Sequence, residues 1–571
     1  MSLAKQREML FEQWYSRYGT RAKMNLYFQA LKDPYYVLDK RATNPGRPGF
    51  VQTVDRTLFP PRGSSLYELV ECKKLKALFV GTAQDVVADD GSMRAGIGCY
   101  ALWLRLADPE EWEKEPFWDG DCASDGSPTG RTRMATLLTN GFDYLKALEN
   151  RKRTYKMDKY LAAIRTKPFI LLAGISGTGK SRLVRQLARG CCPSGHELGK
   201  NKAGDADKAK RPGNFEMIPV RPNWHDSTEL MGYVTRLTDG NKPKYVIKPF
   251  VKFLVKAAIY KDVPFFLCLD EMNLAPVEQY FAEYLSIVET RKKENGAIIS
   301  DVLVNFDLPE IDVVETVKEL MKDWWSLDAD NNLQWATADA KAVYDKIVAD
   351  KGIRIPENFI VMGTVNMDET TCSFSRKVLD RAMTFELNEV DMDEGLAEDN
   401  SIRYGSIPAS SAFATDVEGC DFYAANKDTC EKIKTYLIAV NKVLDGTPFK
   451  FAYRSRNEIM LYCIERTKGG IVELPQALDE ATSMKILSRI EGDEQKLQVP
   501  KRNNNGNVVK STDGRAEMVC LLDKDVLPKV IADALKKANG DKDPNPPCTV
   551  CSEKLAFMAG RLESGFTNFF V

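Results

Sequence analysis

The sequence predicts an α/β fold: a parallel sheet flanked by helices, followed by a mostly helical C-terminal domain and preceded by a separate α+β N-terminal domain. Three observations predict it. The apolar run Phe169–Leu172 has the look of a buried parallel strand, and it leads straight into a glycine-rich turn and a segment with helical spacing. A second apolar run, Pro264–Asp270, ends in paired carboxylates about ninety residues further on. Short apolar strands and helical periods alternate up to about residue 390, and beyond that the strand pattern fades.

The stretch Phe169–Ser181 reads FILLAGISGTGKS, and Gly174–Ser181 has the form G-x-x-x-x-G-K-S, the P-loop signature. Gly174, Gly177 and Gly179 let the backbone turn tightly and aim successive N–H groups inward, with Ser176 and Thr178 in the same cradle. Those groups, with the helix N-terminus, hold anionic phosphates. Lys180 would reach the β- and γ-phosphates of a nucleoside triphosphate, and the Ser181 hydroxyl would ligate Mg²⁺. A chance glycine-rich turn is the plainer reading, but the strand before and the helix after weigh against it. The loop reads phosphates and leaves the base open, so ATP and GTP both fit.

At 571 residues the chain calls for three or four domains, and 44% hydrophobic residues is ordinary for a globular protein. A net charge of −1 gives no global basic field for nucleic acid, although a local patch stays open. Thirteen scattered cysteines with no secretory leader suit reduced thiols in a cytoplasm. Cys548-x-x-Cys551 stands alone and reads as structural or incidental ahead of a zinc or redox role, and two histidines leave little for histidine-based metal chemistry. No apolar run approaches the ~18–20 residues that span a bilayer, so no membrane is expected.

Residues 1–145 read as the separate domain. Glu8–Tyr18 has helical spacing, Tyr35–Leu38 and Phe50–Val54 read as short strands, Leu66–Val80 as a helix and strand, and Gly96–Leu106 as core. Asp119–Gly130 is loop by composition, without EF-hand spacing. Trp14, Tyr15, Arg17, Arg21 and Tyr27 suit nucleic-acid contact and half-buried packing equally well.

Residues 146–390 read as the nucleotide-binding core, opened by a charged amphipathic helix over 146–166. A flexible insertion over about 196–213 precedes a strand at Phe215–Pro219. A hairpin follows at Tyr233–Leu237 and Lys244–Ile247 around Asp239-Gly240, then a helix at Pro249–Tyr260. The Pro264–Asp270 strand delivers Asp270 and Glu271 beside the P-loop, a Walker B arrangement: Asp270 would hold Mg²⁺ through water and Glu271 would polarise the attacking water. Glu278–Arg291 reads as one helix. An insertion over about 293–355 contains helical periods at Asp312–Trp325 and Ala338–Ala349. The next strand, Asn358–Thr364, ends at Asn366, which would orient the lytic water or contact the γ-phosphate. Leu379-Asp-Arg381-Ala reads as helical before a last strand at Met383–Leu387. An arginine there points out of the subunit in ring-forming NTPases and would reach the neighbour's γ-phosphate; an Asp380/Arg381 surface pair is the plainer alternative.

Residues 391–571 read as a mostly helical lid, with periods at Asp428–Leu444, Ser455–Arg466, Leu478–Ile490 and Asp525–Ala538, and loops at Asn503–Gly506 and Asp541–Pro547. Arg454 and Arg456 both fit the role of a cation presented to the nucleotide from the lid. The chain closes on an amphipathic helix and an aromatic tail.

P-loop, Walker B, a polar strand tip, an arginine and a helical lid, in that order, resemble an AAA+ NTPase. Val361-Met-Gly-Thr-Val-Asn366-Met-Asp368 with Val378-Leu-Asp-Arg381-Ala resembles the McrB branch, as do Arg221–Tyr233 with its hairpin and the Gly565-Phe-Thr-Asn-Phe-Phe570 ending. The likeness covers about 165–571. It implies a homo-oligomeric ring, a hexamer in that branch, which usually hydrolyses GTP and drives a separate nuclease subunit along DNA, with the N-terminal domain reading modified DNA. Two departures stand out: Asn366-Met-Asp368 is one residue shorter than the branch's Asn-x-x-Asp, and Asp368-Glu-Thr lacks the basic residue expected there. The second leaves GTP preference open. A MoxR-like chaperone that remodels protein partners without DNA shares the same catalytic set.

Overall fold

The computed structural model describes residues 157–237, 243–367, 374–388, 402–468, 472–503, 508–544 and 546–570, with Glu8, Phe11, Glu12, Phe28, Leu31, Lys32, 65–68 and Tyr100. The chain divides into two compact units, Met1–Thr154 and Tyr155–Val571.

In the first unit, Phe11 packs on Phe28 and Tyr100 with ring centroids 6.0 and 5.6 Å apart. Tyr100 meets Tyr67 edge-on at 5.1 Å, and its hydroxyl donates to the Tyr67 carbonyl. Lys32 pairs with Glu8 and Glu12 over this cluster. The unit therefore has an aromatic core of its own. Leu66–Glu68 is a 3₁₀ turn. Tyr35–Leu38, Phe50–Val54, the loop Asp119–Gly130 and most of Glu8–Tyr18, Leu66–Val80, Gly96–Leu106 and 146–156 lie outside the described residues. So do the aromatics and arginines considered for nucleic-acid contact.

The second unit is built on a five-stranded parallel sheet: β1 (Phe169–Gly174), β2 (Phe215–Pro219), β3 (Phe265–Asp270), β4 (Phe359–Asn366) and β5 (Met383–Glu386). The spatial order is β5-β1-β4-β3-β2. β1, β3 and β4 are buried along almost their whole length, which is why each is a continuous apolar run instead of an alternating one. Helix α1 (157–166) precedes β1, α2 (Lys180–Cys191) follows the P-loop, and α3 (Pro249–Ile259) packs beneath β3 and β4 through Phe250 and Phe253. Two buried asparagines close the joints. Asn214 Nδ2 donates to the carbonyls of Ala188 and Pro264. Asn358 Nδ2 donates to those of Ala257, Tyr260 and Val263, absorbing the free end of α3.

Three expectations are corrected here. Glu278–Arg291 is not one helix but Val277–Tyr280, Ala282–Ile287 and a 3₁₀ turn at Val288–Thr290. The break falls at Phe281, whose backbone (φ −114°, ψ 13°) leaves the helical region between two fully buried neighbours, Tyr280 and Tyr284. The helix expected at Asp312–Trp325 stops at Leu320, because Trp325 opens a hairpin and pairs across it with Trp335. The stretch 196–213 is pinned: Asp207 accepts from the Gly195 N–H and the Ser194 hydroxyl, and the Gly213 N–H donates to the Leu198 carbonyl. The hairpin strands Tyr233–Thr235 and Lys244–Val246 pair antiparallel, their turn lying outside the described residues.

The C-terminal region contains α4 (Lys427–Val443), α5 (Tyr453–Thr467), α6 (Leu474–Lys485), α7 (Leu527–Ala538) and α8 (Val550–Leu562). It also holds a two-stranded antiparallel sheet, Gln498–Pro500 with Met518–Cys520, which the helical periods did not announce. Cys548 and Cys551 are free thiols. Cys551 and Val550 open α8 and donate their N–H groups to the Asp479 carboxylate. Among the described residues, no helix is long and apolar enough to cross a membrane.

Candidate functional site

β1 delivers the P-loop at its C-terminal end. Gly174 has φ 147°, and a Cβ there would lie 2.4 Å from the Leu387 carbonyl oxygen, so only glycine lets the loop leave the sheet this close to β5. Gly179, at φ 81°, turns the chain into α2. Ser176 and Gly177 are exposed, and the Thr178 hydroxyl donates to the Ile175 carbonyl at 3.0 Å. Lys180 is 5% exposed and folds back under the loop, donating to the carbonyls of Gly174 (2.9 Å) and Ile175 (2.7 Å).

Walker B arrives on β3, two strands away. Ser181 Oγ donates to Asp270 Oδ1 at 2.6 Å. β4 lies between the P-loop strand and β3, and it contributes Thr364. The Thr364 hydroxyl donates to the same Oδ1 at 2.8 Å and accepts the Glu271 N–H at 2.9 Å. Glu271 takes a left-handed backbone, φ 52°, uncommon for a non-glycine residue. Its carboxylate accepts from Asn366 Nδ2 at 3.0 Å, and the Asn366 carbonyl accepts from Asn273 Nδ2 at 2.9 Å. Asn366 stands in register with Gly174. Lys180, Ser181, Asp270, Glu271 and Asn366 thus meet at one end of the sheet.

The donor set suits Mg²⁺. Ser181 and Asp270 offer hard oxygens side by side, and Mg²⁺ binds through one or two protein oxygens while keeping water and substrate phosphates. These two residues would hold it.

Arg381 and Arg454 are placed elsewhere. Arg381 lies in the turn after the short helix Arg376–Leu379, at the N-terminal end of β5, with Nη1 donating to the Lys377 carbonyl at 2.8 Å. Its Nε has no hydrogen-bond partner among the described residues. β5 runs parallel to β1, so Arg381 and the P-loop sit at opposite ends of the sheet, on the order of 20 Å apart at ~3.3 Å per residue. Asp380 pairs with Arg489 at 2.8 Å, not with Arg381. Arg454, in the first turn of α5, pairs with Glu289, which also holds Lys167 just before β1. Arg456 contacts Asn457 and stacks over the Tyr453 ring at 5.0 Å. Neither of these two arginines meets this chain's own P-loop. Asp368 lies outside the described residues.

Sequence reading missed Thr364 and Asn388. Thr364 is two residues before Asn366 and shares its strand face, which is the available signal. Asn388 follows β5 and accepts the Ile175 N–H at 3.3 Å, a polar residue at a strand tip like Asn366.

Comparison with known proteins adds little to this geometry. A family model described as a domain of unknown function (DUF8727) matches residues 408–566, within the helical C-terminal region and outside every P-loop and Walker B residue. No curated protein matches the chain. Among solved structures, the chain is similar to that of a Cytophaga hutchinsonii protein assigned as an ATPase, at 13% identity and a TM-score of 0.28. The match covers 60% of this chain and 88% of the other.

Proposed function

We propose that the chain is a Mg²⁺-dependent nucleoside triphosphatase of the AAA+ kind. It works as a ring in which each catalytic centre is completed by a neighbour's Arg381. The observation that carries this reading is the meeting of Lys180, Ser181, Asp270, Glu271 and Asn366 at one end of the sheet, with Arg381 at the other.

In this reading the loop N–H groups take the phosphates, and Lys180 exchanges the Gly174 and Ile175 carbonyls for phosphate oxygens. Mg²⁺ neutralises charge on the phosphates when bound. Glu271 accepts a proton from the attacking water, and Asn366 orients Glu271 and that water. Arg381 cannot reach its own loop, so it stabilises the transferring phosphoryl group in the next subunit. Arg454, at the same end as Arg381, faces a neighbour's site in such a ring. The finer reading is a McrB-like motor acting on DNA with a separate nuclease, the first unit recognising the target.

The test mixes two variants. Arg381→Ala and Glu271→Gln should each bind nucleotide and fail to hydrolyse it. Their mixture should regain turnover, because each supplies what the other lacks. Absence of rescue refutes the shared site. The same assay with ATP and GTP, with and without DNA, settles the base and the partner: stimulation by DNA supports the motor reading, and indifference to it favours the chaperone-like alternative.

A further inference from the structure

Asn388 sits two residues beyond β5 and touches the P-loop. Its Oδ1 accepts the Ile175 N–H at 3.3 Å, and its Nδ2 donates to Glu386 Oε1 at 2.8 Å. The other Glu386 oxygen is paired with Lys554 of α8. Lys554 is itself held in place: it donates to the Phe569 carbonyl at 3.0 Å, and its ammonium lies 4.8 Å from the centre of the Phe569 ring. The Lys554 and Glu386 side chains are 12% and 15% exposed, so the pair is largely shielded from solvent.

An asparagine amide can face either way, and its neighbours decide. An ionised carboxylate only accepts, so Nδ2 must face Glu386. That leaves Oδ1 as the atom presented to Ile175. Gly174 and Ile175 supply the two carbonyls that hold Lys180, so Asn388 anchors the peptide that sets the lysine's position.

The geometry points to a positioning relay, Lys554–Glu386–Asn388, that fixes the start of the P-loop and makes nucleotide affinity depend on the docking of α8 and the Phe569 segment. It rests on the nucleotide reading of the loop. Gly174 stands in register with Asn366, but none of the relay's hydrogen bonds reaches the Asn366 or Glu271 side chains, so the relay acts mainly on binding. A pre-ordered loop spares the ordering cost that binding would otherwise carry.

The test uses the full chain, a fluorescent ATP or GTP analogue for affinity, and steady-state turnover. Asn388→Ala should weaken affinity about fivefold, the loss of one hydrogen bond. Its kcat should stay within about twofold of the parent. The decisive comparison is a double-mutant cycle of Asn388→Ala and Lys554→Ala. Lys554→Ala, which does not touch the loop, should weaken affinity as the relay comes undone, and the double variant should bind no more weakly than Asn388→Ala alone. Additive losses, or a Lys554→Ala chain that is less stable to denaturant yet keeps parental affinity, overturn the relay, as does parental affinity in Asn388→Ala. Lys180→Ala separates the two readings. If it binds and turns over nucleotide normally, the P-loop reading fails and the relay with it. If it abolishes binding while Asn388→Ala is unaffected, only the relay fails.

Discussion

Ser181 and Asp270, 89 residues apart in the sequence, meet in a 2.6 Å hydrogen bond between the serine hydroxyl and Oδ1. Asp270→Asn keeps an oxygen for Ser181 and Thr364 to donate to, so the local fold should survive while the negative charge is lost. The Mg²⁺ concentration needed for half-maximal turnover should then rise roughly 10- to 100-fold. Turnover titrated against Mg²⁺ checks this, and an unchanged midpoint would remove Asp270 from the metal site.

Gly174 and Gly177 both have positive φ, but they differ in what surrounds them. A Cβ on Gly174 meets the backbone of Leu387 at 2.4 Å, whereas one on Gly177 meets nothing within 4 Å. Gly174→Ala should therefore cost about 1–3 kcal/mol and weaken nucleotide binding, while Gly177→Ala carries only the left-handed backbone cost of about 1 kcal/mol. Chemical denaturation of the two variants measures the difference. Equal losses would mean that backbone angle, and not the approach of β5, makes Gly174 necessary.

The strands β1, β3 and β4 and the P-loop were legible because a strand buried on both faces is a continuous apolar run, as in Phe265–Leu269, ended by a polar residue or a glycine. The order of the strands was not. That β4 lies between β1 and β3 depends on pairings such as Leu171 with Gly363, which no local pattern announces. The same limit hid Thr364, whose partner Asp270 is 94 residues away. It also hid the placement of Arg454: its position at a helix start was readable, but Glu289, which draws it to the far end of the sheet, lies on a segment read as one unbroken helix. Where chemistry is carried by one short stretch the residues speak for themselves. Where it depends on two strands meeting, the fold has to be seen.

Thr364, 2% exposed on a buried strand, links the Asp270 carboxylate to the Glu271 backbone N–H through its one hydroxyl. Thr364→Val keeps the shape and removes the hydroxyl, leaving the Glu271 N–H without its acceptor. The expected cost is about 1–3 kcal/mol. Because Glu271 is held in a left-handed backbone, much of it should appear in kcat, with nucleotide affinity nearly unchanged. Thr364→Ser, which keeps the hydroxyl, should restore kcat. If valine and serine behave alike, the hydroxyl has no part in holding Glu271.

Glu458 of α5 stands between Lys167, 3.0 Å away at the start of β1, and Lys485 of α6, 2.6 Å away. Lys485 also donates to the carbonyls of Asp380 and Ala382 ahead of β5, and Lys167 is shared with Glu289. This network ties the helical region to the N-terminal end of the sheet. Burial opposes the charge on Glu458, but the two lysines outweigh it and hold the carboxyl below its ordinary value of 4.5. A depressed carboxyl contributes stability above its unfolded value and loses it as pH falls through the folded one. Glu458→Gln should thus cost about 3–5 kcal/mol at neutral pH, since it leaves two buried ammonium groups short of a partner. The gap between parent and variant should hold down to about pH 5 and close progressively below 4.5. Denaturant titrations across that range measure it. A gap that stays constant into strong acid would mean that Glu458 holds the helices to the sheet by packing alone.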